Sequence, residues 1–132
     1  MMISAEKLVE KAIEASERAY APYSGFKVGA VVLTALGNCY AGCNVENASY
    51  GLTCCAERVA LYSAVAAGER QFLAIALAAA GAEMIAPCGA CRQVLAEFNP
   101  DMLVIMAGGQ GAYRVSSIKA LLPEAFNLKS VG

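Results

Sequence analysis

The chain has 132 residues, 58% of them hydrophobic and only 16% charged, with ten Lys or Arg against eleven Asp or Glu and a formal net charge of −1. That length supports one domain, residues 1–132, around one core, and so small a charged share predicts apolar surface hidden against further copies of the chain. No cluster of basic residues exists to follow a phosphate backbone, which excludes polynucleotide tracking and favours a small uncharged substrate. No apolar run reaches the roughly 18 residues of a membrane span. Met1–Lys7 carries charge where a signal peptide would need an apolar segment, so the sequence predicts a cytoplasmic protein with no membrane association. In that setting the six cysteines read as reduced ligands or core residues rather than disulfides.

In chain order, Ser4 is a candidate N-cap, and Leu8, Val9, Ala12, Ile13 and Ala19 form an apolar face, which predicts a helix over residues 4–19 ended by Ala21-Pro22. Phe26–Thr34 and Cys39–Val45 read as the two arms of an antiparallel hairpin around Leu36-Gly37-Asn38. Thr53 or Cys54 precedes a helical pattern over Cys55–Ala67, closed by Gly68. Phe72–Ala79 is a continuous buried-strand pattern, Gly81–Pro87 a loop, Gly89–Phe98 a helix and Met102–Ala107 another strand. A turn at Gly108–Gly111, a short strand around Tyr113–Val115 and a short helix near Ser117–Leu121 complete the chain. The strand-helix alternation implies parallel pairing by right-handed crossovers, and the leading hairpin adds an antiparallel part. The expected fold is a three-layer α/β/α sandwich on a mixed five-stranded sheet.

Two motifs carry chemistry. Cys55-Ala56-Glu57 is followed by Pro87-Cys88-Gly89-Ala90-Cys91, with Cys88 thirty-three positions after Cys55, in a chain with no histidine. Three thiols suit zinc, and a site with only three protein ligands leaves its fourth position open, the usual pattern for catalysis rather than scaffolding. Each cysteine pattern falls at a predicted helix N-terminus, where outward N–H groups and the macrodipole favour the thiolate that zinc needs. Arg58, one turn after Cys55, is placed to donate to a ligand sulfur and offset the excess negative charge. A lone C-x-x-C also fits a redox pair or half a zinc ribbon, but neither accounts for Cys55, Glu57 and Pro87. Cys54 has the same chemistry as Cys55, and the ligand-x-Glu spacing favours Cys55. Cys39 and Cys43 read as strand residues. Asn44 and Glu46 suit vicinal hydroxyls or, equally, a turn capped by side chains, and Phe26 by itself reads as core.

A ligand-x-Glu element paired with a later P-C-x-x-C element is the known signature of zinc-dependent nucleobase deaminases. Together with Ala21–Ala30, Asn44–Gly51 and Leu121–Phe126, these motifs make the chain resemble the cytidine deaminases of the small, homotetrameric type with three cysteine ligands. The resemblance implies Zn2+ held by Cys55, Cys88 and Cys91, with Glu57 as proton carrier and Arg58 behind the ligands. It implies a nucleoside site in which Phe26 packs on the pyrimidine, the Ala56 backbone faces its polar edge, and Asn44 and Glu46, flanking Val45, bond the ribose. Tyr50 and Phe126 would shape pockets across subunit boundaries of a homotetramer working in pyrimidine salvage. Two rivals are a blasticidin-type deaminase, against which the Asn44-Val45-Glu46 loop argues, and an interaction module on structural zinc, against which Glu57 argues.

Overall fold

The structure, a computed structural model, describes residues 3–128. Its elements are α1 (Ala5–Ser16), β1 (Val28–Thr34), β2 (Cys39–Cys43), a 3₁₀ turn (Tyr50–Leu52), α2 (Ala56–Ala66), β3 (Phe72–Ala79), α3 (Gly89–Phe98), β4 (Leu103–Gly108), β5 (Tyr113–Ser117) and α4 (Ile118–Leu121). The strands make a mixed sheet in the order β2-β1-β3-β4-β5. β1 is antiparallel to β2 and to β3, β3 is parallel to β4, and β5 returns antiparallel along β4.

Alternation along the strands sends side chains to two separate cores. On one face Val31, Leu33, Ala74, Ala76, Ala78 and Ile105 meet Leu8, Val9 and Ala12 of α1. On the other, Ala30, Val32, Ile75, Leu77, Val104 and Met106 meet Ala60, Leu61 and Ala64 of α2, Leu95 of α3 and Ile118 of α4. Helix, sheet, helix is the expected three-layer sandwich. Small residues bring the layers close. A Cβ on Gly42 would lie 2.4 Å from the Ala60 nitrogen and 2.7 Å from the Ala56 carbonyl oxygen, so the backbone of α2, first turn included, rests directly on β2.

Several expectations change. Parallel pairing holds for β3 and β4, but β1 stands between β2 and β3 and keeps them from pairing. Ser4 does cap α1, accepting from the Lys7 N–H at 3.1 Å, yet the helix ends at Ser16 rather than residue 19. The cause is distant in sequence: Tyr20 exchanges backbone bonds with the β2 exit, donating to the Asn44 carbonyl at 3.0 Å and accepting from Glu46 N–H at 2.9 Å. The hairpin arms are shorter than Phe26–Thr34 and Cys39–Val45 because the Asn44 side chain takes over the ladder, accepting from Val28 N–H at 2.8 Å and donating to the Phe26 carbonyl at 2.9 Å. Cys55 itself, rather than Thr53 or Cys54, caps α2. β4 starts one residue later than expected, at Leu103, and β5 runs on to Ser117.

Candidate active site

The N-termini of α2 and α3 converge. Cys55 caps α2 and Cys88 caps α3, both with extended backbone and neither sulfur bonded to its own helix N–H groups. The Cys55 and Cys88 sulfurs lie 3.7 Å apart, and Cys91, buried in the first turn of α3, completes a group whose ligand atoms all fall within 4.8 Å of one another. Zn–S bonds of about 2.3 Å in tetrahedral geometry require sulfurs about 3.8 Å apart. The donor set therefore fits zinc. Cys54 stands outside this group. Arg92 braces the α3 side, its Nε donating to the Pro87 carbonyl at 2.8 Å and Nη1 to the Leu121 carbonyl at 2.9 Å.

Charge around the sulfurs is unevenly shared. A hydrogen bond from the Cys91 thiol, with further bonds from Arg58 and Cys88, pulls Cys55 down to about 5 despite partial burial. The same Cys55–Cys91 bond, together with burial, pushes the Cys91 thiol far up. Arg58 Nη2 donates to the Cys55 sulfur at 3.5 Å, while its buried Nε has no hydrogen-bond partner. Glu57 is 4% exposed. Burial raises its carboxyl to about 7, and the neighbouring Cys55 thiolate pushes the same way.

Cys55, Glu57 and Cys88 border a cleft of about 460 Å³, which Phe26, Asn44, Glu46 and Ala56 also line. Phe26 is 47% exposed rather than core. Asn44 is 8% exposed and holds the backbone on either side of Lys27, while Glu46 accepts from the N–H groups of Tyr23 and Ser24 at 3.0 and 3.1 Å. Both side chains thus buckle the loop before β1 onto the end of β2. Val45 does not line the cleft; its backbone bridges Tyr20 and Cys54. Ser24, Val28, Thr53, Leu77, Ile85 and Ala86 also line it and were missed from the sequence. Leu77 reads there only as a strand residue and Ile85-Ala86 only as loop. Tyr50 borders an adjoining depression of about 320 Å³ with Tyr23 and Asn47. Phe126 stands elsewhere, its backbone N–H and carbonyl held by the Gln93 side chain.

A family model described as "Cytidine and deoxycytidylate deaminase zinc-binding region" matches residues 2–107, a span that includes all three cysteines and Glu57. The chain belongs to this family. Among its deaminase relatives, a cytidine deaminase of Sporosarcina psychrophila is 46% identical over 123 residues, 92% of this chain and 90% of the relative. A cytidine deaminase of Halalkalibacterium halodurans is 46% identical over 127 residues, 96% of each chain. The crystal structure of cytidine deaminase from Burkholderia pseudomallei superposes with a TM-score of 0.90 at 54% identity, covering 94% of this chain and 100% of the other. The deaminase zinc-binding region and the three-cysteine group coincide, and zinc is the cofactor they define.

Proposed function

We propose that the chain is a hydrolase that converts cytidine and 2′-deoxycytidine to uridine and 2′-deoxyuridine, releasing ammonia, as a single catalytic domain over residues 1–132. The observation that carries this reading is a buried carboxyl, Glu57, beside a three-thiol metal group at a cleft of nucleoside size. Zinc held by Cys55, Cys88 and Cys91 supplies the Lewis acidity that makes water nucleophilic at neutral pH. Glu57 accepts the proton given up by the attacking water and passes it to N3 of the ring. It then takes the remaining proton from the hydroxyl formed at C4 and gives it to the amino group, which leaves as ammonia as the C4–N bond breaks and the C4 carbonyl forms. A carboxyl held near 7 is suited to both tasks within one turnover. Phe26 covers the pyrimidine, the Ala56 backbone meets its polar edge, and Asn44 and Glu46, on either side of Val45, receive the ribose hydroxyls. Asn44 keeps one donor and one acceptor for this after its two backbone bonds. Arg58 holds the Cys55 thiolate.

The family covers nucleosides and nucleotides, and charge favours the nucleoside. Among the described residues no Lys or Arg lines the cleft, whereas Glu46 and Glu57 do, so a 5′-phosphate would meet carboxylates there. Among the described residues no helix is long and apolar enough to cross a membrane. Of the finer assignments, association is supported by the apolar exposed surface and four copies by the family resemblance alone, while a cytoplasmic setting is supported by free thiols that need a reducing compartment. The decisive test is the loss of ultraviolet absorbance of cytidine with purified protein, with and without a chelator. Chelator-sensitive turnover is expected. No turnover of any cytosine nucleoside by zinc-loaded protein would sink the proposal.

A further inference from the structure

Glu46 can orient a sugar only if something orients Glu46. Its Oε1 accepts two backbone N–H bonds, from Tyr23 and Ser24. Its Oε2 accepts from the Ser24 hydroxyl. The serine is itself fixed, because Oγ accepts from the Phe26 N–H at 3.0 Å, the two-residue turn that serine hydroxyls favour. With a lone pair committed to Phe26, the hydroxyl hydrogen is directed at Glu46. An ionised carboxylate offers about four acceptor positions. Two bonds on Oε1 and one on Oε2 leave the second acceptor position of Oε2 for a ligand, in a direction set by the serine. The terminal torsion of a glutamate is broad and two-fold; the two N–H groups pin Oε1, and the serine hydroxyl is the contact that fixes the remaining freedom of Oε2. Ser24 donation is also the largest influence holding the Glu46 carboxyl below the usual range, so it stays an acceptor. Ser24 lines both the cleft and the adjoining depression, where a sugar would lie.

We propose that Ser24 is a positioning residue for the ribose, acting through Glu46 Oε2 to aim the carboxylate at a sugar hydroxyl. The proposal rests on the nucleoside reading above. Its test compares cytidine with 2′,3′-dideoxycytidine, which keeps the base and removes both vicinal hydroxyls. Ser24→Ala is expected to raise KM for cytidine about tenfold with kcat within about twofold, the signature of lost ground-state positioning. KM for the dideoxynucleoside stays at the wild-type value, as do zinc content and Tm. Ser24→Thr, which keeps the hydroxyl, restores cytidine binding, and Ser24→Ala has no added effect in a Glu46→Gln background. Calorimetric cytidine affinity in a Glu57→Gln background gives the same comparison without turnover. Equal loss on both nucleosides would mean general loosening of the loop and overturns the proposal, as does an unchanged KM for cytidine. Wild-type protein that turns over neither nucleoside sinks the deamination reading itself, whereas wild-type turnover with an indifferent Ser24→Ala removes only the inference.

Discussion

A carboxyl buried like Glu57 is costly to ionise, and a neighbouring thiolate makes it costlier. Glu57→Gln keeps the shape and removes the proton relay. Turnover should fall by about 10²–10⁴-fold while zinc stays bound, which absorbance kinetics and elemental analysis on one sample would establish. Undiminished turnover would dismiss Glu57 as the carrier. The sulfurs permit a second prediction with its sign worked out. Cys55 is a thiolate down to about 5, but Cys91 is pushed upward and keeps its proton without metal. Zinc must displace that proton, so affinity rises with pH through neutrality and is lost as pH falls. Arg58→Ala removes a donor to Cys55, and about 10–100-fold of zinc affinity should go with it. Competition with a chromophoric chelator across pH 6–9 measures both effects, and an unaltered affinity would remove Arg58 from the site.

At the scale of elements, two glycines distinguish packing from function. Gly42→Ala places a Cβ 2.4 Å from the Ala60 nitrogen, and backbone cannot swing aside as a side chain can. α2 must rise off β2, carrying Cys55 and Glu57 with it. Gly29→Ala makes a worse clash, 1.9 Å from the Ala12 carbonyl oxygen, but against α1 on the opposite face of the sheet. Each should cost at least about 1–3 kcal/mol, visible as a lower Tm. Only Gly42→Ala should also weaken zinc binding. Equal zinc affinity in the two variants would separate α2 height from the metal site. The elements also mark what could be read in advance. Phe72–Ala79 was legible because both faces are covered from Ala74 onward and every position is apolar or small. α3 was legible between Gly89 and Phe98, and the cysteine spacing announced the metal group. What depends on contacts across the sequence was not legible: α1 stops early for a Tyr20–Val45 bridge, and β1 and β2 are trimmed by one Asn44 side chain. Ser24 is unremarkable in sequence, since its partner lies 22 positions away.

The whole molecule leaves apolar groups in water beside its site. Tyr50 is 80% exposed and Leu52 71%, both on the 3₁₀ turn that follows the substrate-side loop. Tyr50 also walls the depression adjoining the cleft, so a copy docked on this turn would cover the mouth of the site. In the proposed assembly, burial of Leu52 and covering of the pocket would be one event, which would link association to activity. Leu52→Asp puts a charge where the proposed interface is apolar, and unpaired buried charge strongly opposes association. The variant should sediment as a smaller species than the wild type at micromolar concentration and show a higher KM for cytidine. Its zinc ligands, on α2 and α3, should remain loaded. In the wild type, Tm should climb with protein concentration, as it must when folding and association are coupled. A wild-type protein that sediments as a monomer with full activity would refute the assembly, and it would make Tyr50 an ordinary exposed residue beside a site that one chain completes alone.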